Sequence, residues 1–249
     1  MIKILVINPN TTESFTRSID EAVAQYKSAG TQVTAVNPTH GPGTIESVYE
    51  ELLSGMPTLE ILLAERDNYD GFLIACYGNE GLAHAARELS SKPAMSITEA
   101  SFYMACMLGS KFSVVTTGDR WKQLLWDVVR QYGLEERCAS IRPTSLAASE
   151  LEAAGDDVIR ASLLHEARKA LDEDGADVIC LGCAGMTGFD KELEALLGVP
   201  VIDGVVAGVK LLEAMIGYGV KTSKRVAYLP LERIDLHGLP PIFNKAYDG

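Results

Sequence analysis

The sequence repeats itself at an almost constant spacing, and this repeat limits the folds that the chain can adopt. The segment KILVINPN starts at Lys3 and recurs as KFSVVTTG from Lys111. DGFLIACYG starts at Asp70 and recurs as DVICLGCAG from Asp177, and PAMSI starts at Pro93 and recurs as PVIDG from Pro200. All β-α units look somewhat alike, but landmarks preserved to within one residue favour two related halves.

Short runs rich in Val and Ile alternate with longer segments of helical periodicity, the pattern of β-α-β units around a mainly parallel sheet. We expect an α/β protein with two similar Rossmann-like or flavodoxin-like domains, related by a pseudo-twofold axis, and the active site in the cleft between them. The first helix is predicted over residues 12–29, with Thr11 as its N-cap. The predicted strands are residues 2–8, 31–37, 70–76, 93–97, 111–117, 137–142, 177–183 and 200–203.

Charge and hydropathy exclude two classes of partner. The net charge of the 249-residue chain is −12, and the densest basic run, KTSKR at 221–225, is too short for a nucleic-acid surface. No stretch approaches the roughly 20 uninterrupted apolar residues of a membrane span. The first residues lack the apolar core and cleavage site of a signal peptide. We therefore expect a cytoplasmic protein without nucleic-acid or membrane partners.

Two of the five cysteines occupy repeated positions. Cys76 and Cys183 each lie six residues after the Asp that opens their segment. An odd number of cysteines without an export signal makes a disulfide framework improbable. Cys106 and Cys138 are interpreted as buried apolar side chains. Cys180 and Cys183 also match a CxxC redox motif, but Cys180 lies inside an apolar strand, whereas a redox pair should open a helix.

Both repeated cysteines fall at the carboxyl ends of predicted strands, where ligands of open α/β sheets bind. The strand ends NPN at 8–10 and TTG at 116–118 are expected at the same edge. A glycine-containing turn follows each cysteine, and free N–H groups there favour a thiolate or a substrate oxyanion. A pseudo-twofold axis would place Cys76 and Cys183 on opposite sides of one pocket.

Two matched thiols suit the inversion of a carbon stereocentre. That reaction needs a base on one face of the carbon and an acid on the other. One cysteine would be the thiolate and the other the thiol, with the roles exchanged for the opposite enantiomer. Nucleotide, pyridoxal and zinc fingerprints are lacking in the sequence, so we expect neither a cofactor nor a metal.

The chain resembles the hydantoin and allantoin racemases of the aspartate/glutamate racemase superfamily. The resemblance extends over nearly the whole chain in the same order, and CLGCAGM followed by PVIDGV is its most specific part. The motifs that carry it are INPNTT (7–12), GPGTIES (41–47), IACYGNEGL (74–82), ITEAS (97–101), FSVVTT (112–117), CLGCAGM (180–186), GVPVIDGV (198–205) and TSK (222–224).

The resemblance implies cofactor-independent racemisation through Cys76 and Cys183, on a small hydantoin-like substrate. It also implies a discontinuous first domain, 1–97 plus 208–249, a second domain, 98–207, and assembly as a homo-oligomer. The substrate-binding residues that it implies are Asn10, Thr11, Gly41, Pro42, Tyr77, Gly78, Asn79, Thr116, Thr117, Ala184, Gly185 and Met186.

The turns after the cysteines favour a hydantoin over a free amino acid. Similar glutamate racemases usually have Asn-Thr and Thr-His there, whereas this chain has Tyr77-Gly78 and Ala184-Gly185. The polar groups expected to hold an amino-acid carboxylate are therefore missing. Similar hydantoin racemases usually have Asp-Pro where this chain has Asn79-Glu80, and Glu80 is interpreted as a complement to the helix dipole.

The sequence is also compatible with other functions. An amino-acid racemase and a maleate cis-trans isomerase belong to the same superfamily, and an arylmalonate decarboxylase generally needs one cysteine. A non-catalytic metabolite-binding protein that retains the cleft is the alternative from a different class.

Overall fold

Two four-stranded parallel sheets form the framework of the protein, a computed structural model that describes residues 1–248. The first sheet has the order β2-β1-β3-β4 and the second the order β6-β5-β7-β8, so the repeat extends to the sheet topology. The eight predicted strands are all present. Their bounds are β1 Ile2–Ile7, β2 Thr31–Val36, β3 Gly71–Ile74, β4 Ala94–Ser96, β5 Phe112–Thr116, β6 Cys138–Pro143, β7 Val178–Leu181 and β8 Val201–Asp203.

Helices cover both faces of each sheet, as the predicted α/β fold requires. The first helix begins at Glu13 with Thr12 as its N-cap, one residue later than predicted, because the N–H of Thr11 donates to the carbonyl of Pro42. The helices are α1 Glu13–Tyr26, α2 Val48–Glu65, α3 Glu80–Leu89, α4 Ile97–Leu108, α5 Arg120–Gln131, α6 Ala148–Ala154, α7 Asp156–Asp172, α8 Asp190–Leu197 and α9 Gly204–Tyr218, with 3-10 helices at Glu135–Arg137, Ala184–Met186, Val226–Tyr228 and Pro241–Tyr247.

The central strands are buried on both faces, which explains their continuous apolar runs. In β1, the side chains from Ile4 to Ile7 are fully buried, and β3, β5 and β7 are buried along their whole length. Within residues 1–248, no helix combines the length and the hydropathy that crossing a membrane requires.

Helices α4 and α9 pack against each other between the two sheets. Helix α4 follows the first sheet in the chain but contacts β5, β7 and β8, whereas α9 follows the second sheet but contacts β1, β3 and β4. Each of these helices therefore packs against the sheet of the other half, which is consistent with a discontinuous first domain. The exact domain boundaries stay a prediction. The two helices approach closely at Gly204, where a Cβ would lie 2.8 Å from the carbonyl oxygen of Ile97.

We predict that Gly204→Ala destabilises the fold by about 1–3 kcal/mol, because the added methyl group overpacks the contact between α9 and the backbone of α4. Gly217→Ala is the matched control in the same helix, since a Cβ there meets nothing within 4 Å. The control should be neutral or stabilising by up to about 1 kcal/mol. Urea denaturation of both variants measures the difference, and equal stabilities would contradict the tight contact.

Candidate active site

Cys76 and Cys183 occupy equivalent places in the two sheets. Each lies two residues beyond its strand, Cys76 after β3 and Cys183 after β7, and both strands are third in the order of their sheet. The two cysteines line one cavity of about 40 Å³. The structure therefore brings together the two residues that the repeat singled out, at the carboxyl edges of both sheets.

Seven of the fourteen predicted site residues line this cavity. The wall contains both cysteines, Asn10, Tyr77, Thr117, Ala184 and Gly185 from the predicted set. The other lining residues are Phe15, Thr44, Ile45, Ala75, Trp121, Ala148 and Gly182. Both halves thus contribute to the wall, as a cleft between two similar units requires.

The remaining residues that follow the cysteines lie behind the cavity. Asn79 is buried, and its side-chain amide donates to the hydroxyl of Ser54. Gly78 has a φ of +95°, which favours glycine, and a Cβ there would lie 2.9 Å from the ring of Trp121. Met186 is fully buried in the core of the second half. These three residues shape the turns and do not form the wall.

Three other predicted residues support the loops around the cavity, and a fourth, Gly41, does not line it. The backbone and hydroxyl of Thr11 both donate to the carbonyl of Pro42, at 2.9 and 3.3 Å. The hydroxyl of Thr116 donates to the carbonyl of Gly182 at 2.9 Å, which fixes the residue that precedes Cys183. Gly41 is exposed, with a φ of +120°, beside Pro42.

Sequence reasoning missed most of the apolar wall. Phe15 is a buried residue of α1, and it reaches the cavity because α1 starts beside the end of β1. Trp121 lies in the first turn of α5, directly after the repeated TTG segment. An aromatic residue so close to a predicted strand end was a usable signal. Thr44 and Ile45 lie in the GPGTIES motif of the family resemblance, which was a signal for them, whereas Ala148 comes from a segment without one.

Asp203 fixes the turn that follows Cys183. Its carboxylate accepts the N–H of Val205 at 2.8 Å and so caps α9. It also accepts the N–H of Gly188 at 2.9 Å and the hydroxyl of Thr187. The acidic residue of the PVIDGV motif therefore joins the start of α9 to the second cysteine's turn.

The thiol of Cys183 accepts a backbone hydrogen bond. The N–H of Gly185 points at its sulfur at an N to Sγ distance of 3.4 Å. Burial raises the pKa of Cys183 to about 11, the Gly185 N–H opposes this rise, and the carboxylate of Glu46 adds to it. The predicted support of a thiolate by turn N–H groups is present here, but burial outweighs it in the unliganded protein.

The thiol of Cys76 has a different environment. Its sulfur lies 3.9 Å from the carbonyl oxygen of Tyr77, an acceptor that suits the protonated form. Burial raises the pKa of Cys76 well above its usual value, and the facing Cys183 raises it further. A second thiolate is disfavoured once the first exists, so when one cysteine ionises the other stays a thiol.

A wider cavity of about 280 Å³ adjoins the cavity that the cysteines line. The two cavities share Thr117, Trp121 and Ala148, and the outer one also contains charged side chains. These are Glu46, Glu50, Asp119 and Arg120. Across residues 1–248, no group of three or more His, Cys, Asp or Glu side chains is placed to hold a metal ion.

The family of the chain follows from comparison with known proteins. A family model described as Asp/Glu/Hydantoin racemase matches residues 4–212. A hydantoin racemase from Pseudomonas sp. (strain NS671) is 46% identical over 231 residues, which is 91% of each chain. The structure of allantoin racemase from Klebsiella pneumoniae superposes with a TM-score of 0.91 at 37% identity, covering 96% of this chain and 97% of that one. Allantoin racemase from Pseudomonas fluorescens gives the same TM-score at 36% identity, covering 95% and 100%. The chain therefore belongs to the Asp/Glu/hydantoin racemase family and is an isomerase of the racemase type.

Proposed function

We propose that this racemase inverts the C5 stereocentre of a 5-substituted hydantoin or of allantoin by proton transfer between two cysteines. The observation that supports this most is the shared cavity of Cys76 and Cys183, which arise from equivalent strand ends of the two halves. Two such groups can reach one carbon from opposite sides, which inversion requires.

In the proposed reaction, one thiolate removes the C5 proton and becomes a thiol. The electron pair left on C5 delocalises into the adjacent carbonyl as an enolate. The opposite thiol then gives its proton to the other face of C5 and becomes a thiolate. No redox change occurs, and the two cysteines end with their roles exchanged, ready for the opposite enantiomer.

A hydantoin suits these groups because its C5 is flanked by a carbonyl and an amide nitrogen, and backbone donors can stabilise the enolate. The inner cavity is narrow, which fits a flat ring held between the two sulfurs. The adjoining cavity beside Thr117 and Trp121 offers room for the C5 substituent. The hydantoin and allantoin racemases among the relatives support the same substrate class.

We predict that one enantiomer of a 5-substituted hydantoin loses its optical rotation in heavy water while deuterium enters C5. Each inversion delivers a solvent-derived proton, because a thiol exchanges its proton with water. Polarimetry and proton NMR on a small panel of hydantoins that includes allantoin measure both changes. Absence of exchange across the whole panel would count against this substrate class.

We predict that Cys76→Ser and Cys183→Ser each reduce racemisation by about 10²–10⁴-fold, the usual contribution of a positioned acid or base. Each variant should still exchange the C5 proton of one enantiomer, and the two variants should differ in which one. Cys106→Ser is the matched control, because Cys106 lies in α4 away from the cavity and should retain full activity.

Full activity in both cysteine variants would end the two-base proposal. A non-catalytic metabolite-binding protein gives another pattern: ligand binding would survive both substitutions, and the parent protein would show no turnover. Isothermal titration beside the activity assay separates these outcomes.

Three properties accompany the proposed function. We propose that the chain acts without a cofactor, in the cytoplasm, and as a homo-oligomer. Activity of protein dialysed against a chelator, with no cofactor added and no absorbance from a bound organic cofactor, tests the first property. Light scattering on the purified chain tests the last.

A further inference from the structure

The two halves treat their cysteines unequally at matched positions of the repeat. In the second half, the N–H of Gly185, two residues after Cys183, donates to the cysteine sulfur at 3.4 Å. The matching N–H in the first half belongs to Gly78, two residues after Cys76. It donates instead to the hydroxyl of Thr98 at 2.9 Å. The Cys76 sulfur therefore lacks the hydrogen bond that its counterpart receives.

Thr98 is the residue that diverts this N–H group. It is fully buried at the start of α4, where its hydroxyl can reach only groups of the protein. At the spacing that relates Cys76 to Cys183, its counterpart is Val205, which has no hydroxyl. Val205 is also fully buried, at the start of α9. The hydroxyl oxygen of Thr98, which Val205 lacks, is therefore the first difference between the surroundings of the two turns.

The second difference is the position of a carboxyl group. Glu80 lies four residues after Cys76, and its carboxylate accepts hydrogen bonds from Ser96 at 2.6 Å and from Tyr132. At the same spacing, Glu80 corresponds to Thr187 and Ser96 corresponds to Asp203, and these two residues are also hydrogen-bonded to each other. The same hydroxyl-to-carboxylate bond exists in both halves, but the acid has changed sides. In the first half it lies in the turn that leads from the cysteine.

Glu80 does more than complement the helix dipole. Its side chain turns inward and is only 4% exposed, and among the described residues its Oε1 atom has no hydrogen-bond partner. Burial raises its pKa, and the hydroxyls of Ser96, Tyr132 and Thr98 oppose that rise. Glu99 of α4 adds to it.

Glu51 of α2 is a second carboxyl group on the same side. Burial, helped by Glu80, raises its pKa to about 6, so it is charged above that pH. Both carboxylates raise the pKa of Cys76, after burial and the facing Cys183. Cys183 faces Glu46 and Cys76 instead, and it retains the bond from Gly185.

We propose that Thr98 and Glu80 are positioning residues that fix the order in which the two cysteines ionise, so that Cys183 becomes the thiolate while Cys76 stays the thiol. Thr98 withholds a hydrogen bond from Cys76, and Glu80 places negative charge near it. The ionisation order itself does not depend on the proposed function. Its consequence does rest on that function: in the free enzyme, Cys183 removes the first proton of the substrate.

The test is the pH dependence of alkylation by iodoacetamide at each cysteine of the ligand-free protein, measured by peptide mass spectrometry. The midpoint for Cys183 should lie below that for Cys76. Thr98→Val should free the Gly78 N–H and lower the Cys76 midpoint by about one pH unit, a tenfold rise in the thiolate fraction at fixed pH. Glu80→Gln keeps an acceptor for Ser96 and Tyr132 but removes the charge, and it should also lower the Cys76 midpoint.

Two further variants serve as matched comparisons. Val205→Thr introduces the hydroxyl in the second half and should raise the Cys183 midpoint. Glu88→Gln removes a charge from the far end of α3 and should leave both midpoints unchanged. In every sample, Cys106, which does not line the cavity, is the internal reference.

A Cys76 midpoint below that of Cys183 in the parent protein would overturn the proposal. So would unchanged Cys76 midpoints in Thr98→Val and Glu80→Gln variants that melt at the parent temperature. Because the assay uses no substrate, these results are independent of whether hydantoins are racemised. A failed exchange assay with the expected order of midpoints would refute the proposed substrate and leave the ionisation order standing.

Discussion

The confinement of two thiols in one narrow cavity is the constraint on which the site depends. Each thiol resists ionisation because it is removed from water, and each resists it more when the other is charged. Once one sulfur has ionised, the other therefore keeps its proton. The proposed inversion needs such a thiolate and thiol, and the fold places Cys76 and Cys183 after equivalent strands of two sheets with the same order.

The near symmetry of the halves explains why the differences between them matter. A perfectly symmetric site would leave the two cysteines equivalent, with no preference for which ionises first. Two such differences lie behind the cysteines, at Thr98 against Val205 and at Glu80 against Thr187. In the proposal, Thr98 acts through a backbone N–H group and Glu80 acts through its charge. Substitutions at these two positions can therefore change the ionisation of the cysteines without changing the residues that line the cavity.

Much of the fold could be predicted from the sequence, because the alternation of apolar strands and amphipathic helices reflects local chemistry. The repeat then located both cysteines without reference to any structure. The cavity residues that are far from the cysteines in the sequence are harder to predict. Trp121, Ile45 and Ala148 reach the cavity through helix packing and loop paths that depend on contacts far apart in the chain, and Met186 follows a cysteine yet turns into the core. The sequence predicts only that Glu80 complements the helix dipole, since nothing local shows that Ser96 and Tyr132 donate hydrogen bonds to its carboxylate.

The central claim is geometric: the two sulfurs act on opposite faces of one carbon. A crystal structure with bound 5,5-dimethylhydantoin, which has no C5 proton to lose, tests it most directly. The account predicts that the two methyl groups point to opposite faces of the ring, one toward the sulfur of Cys76 and one toward that of Cys183, each in van der Waals contact at about 4 Å. Both sulfurs on one face of the ring, or one sulfur in contact with no ligand atom, would contradict it.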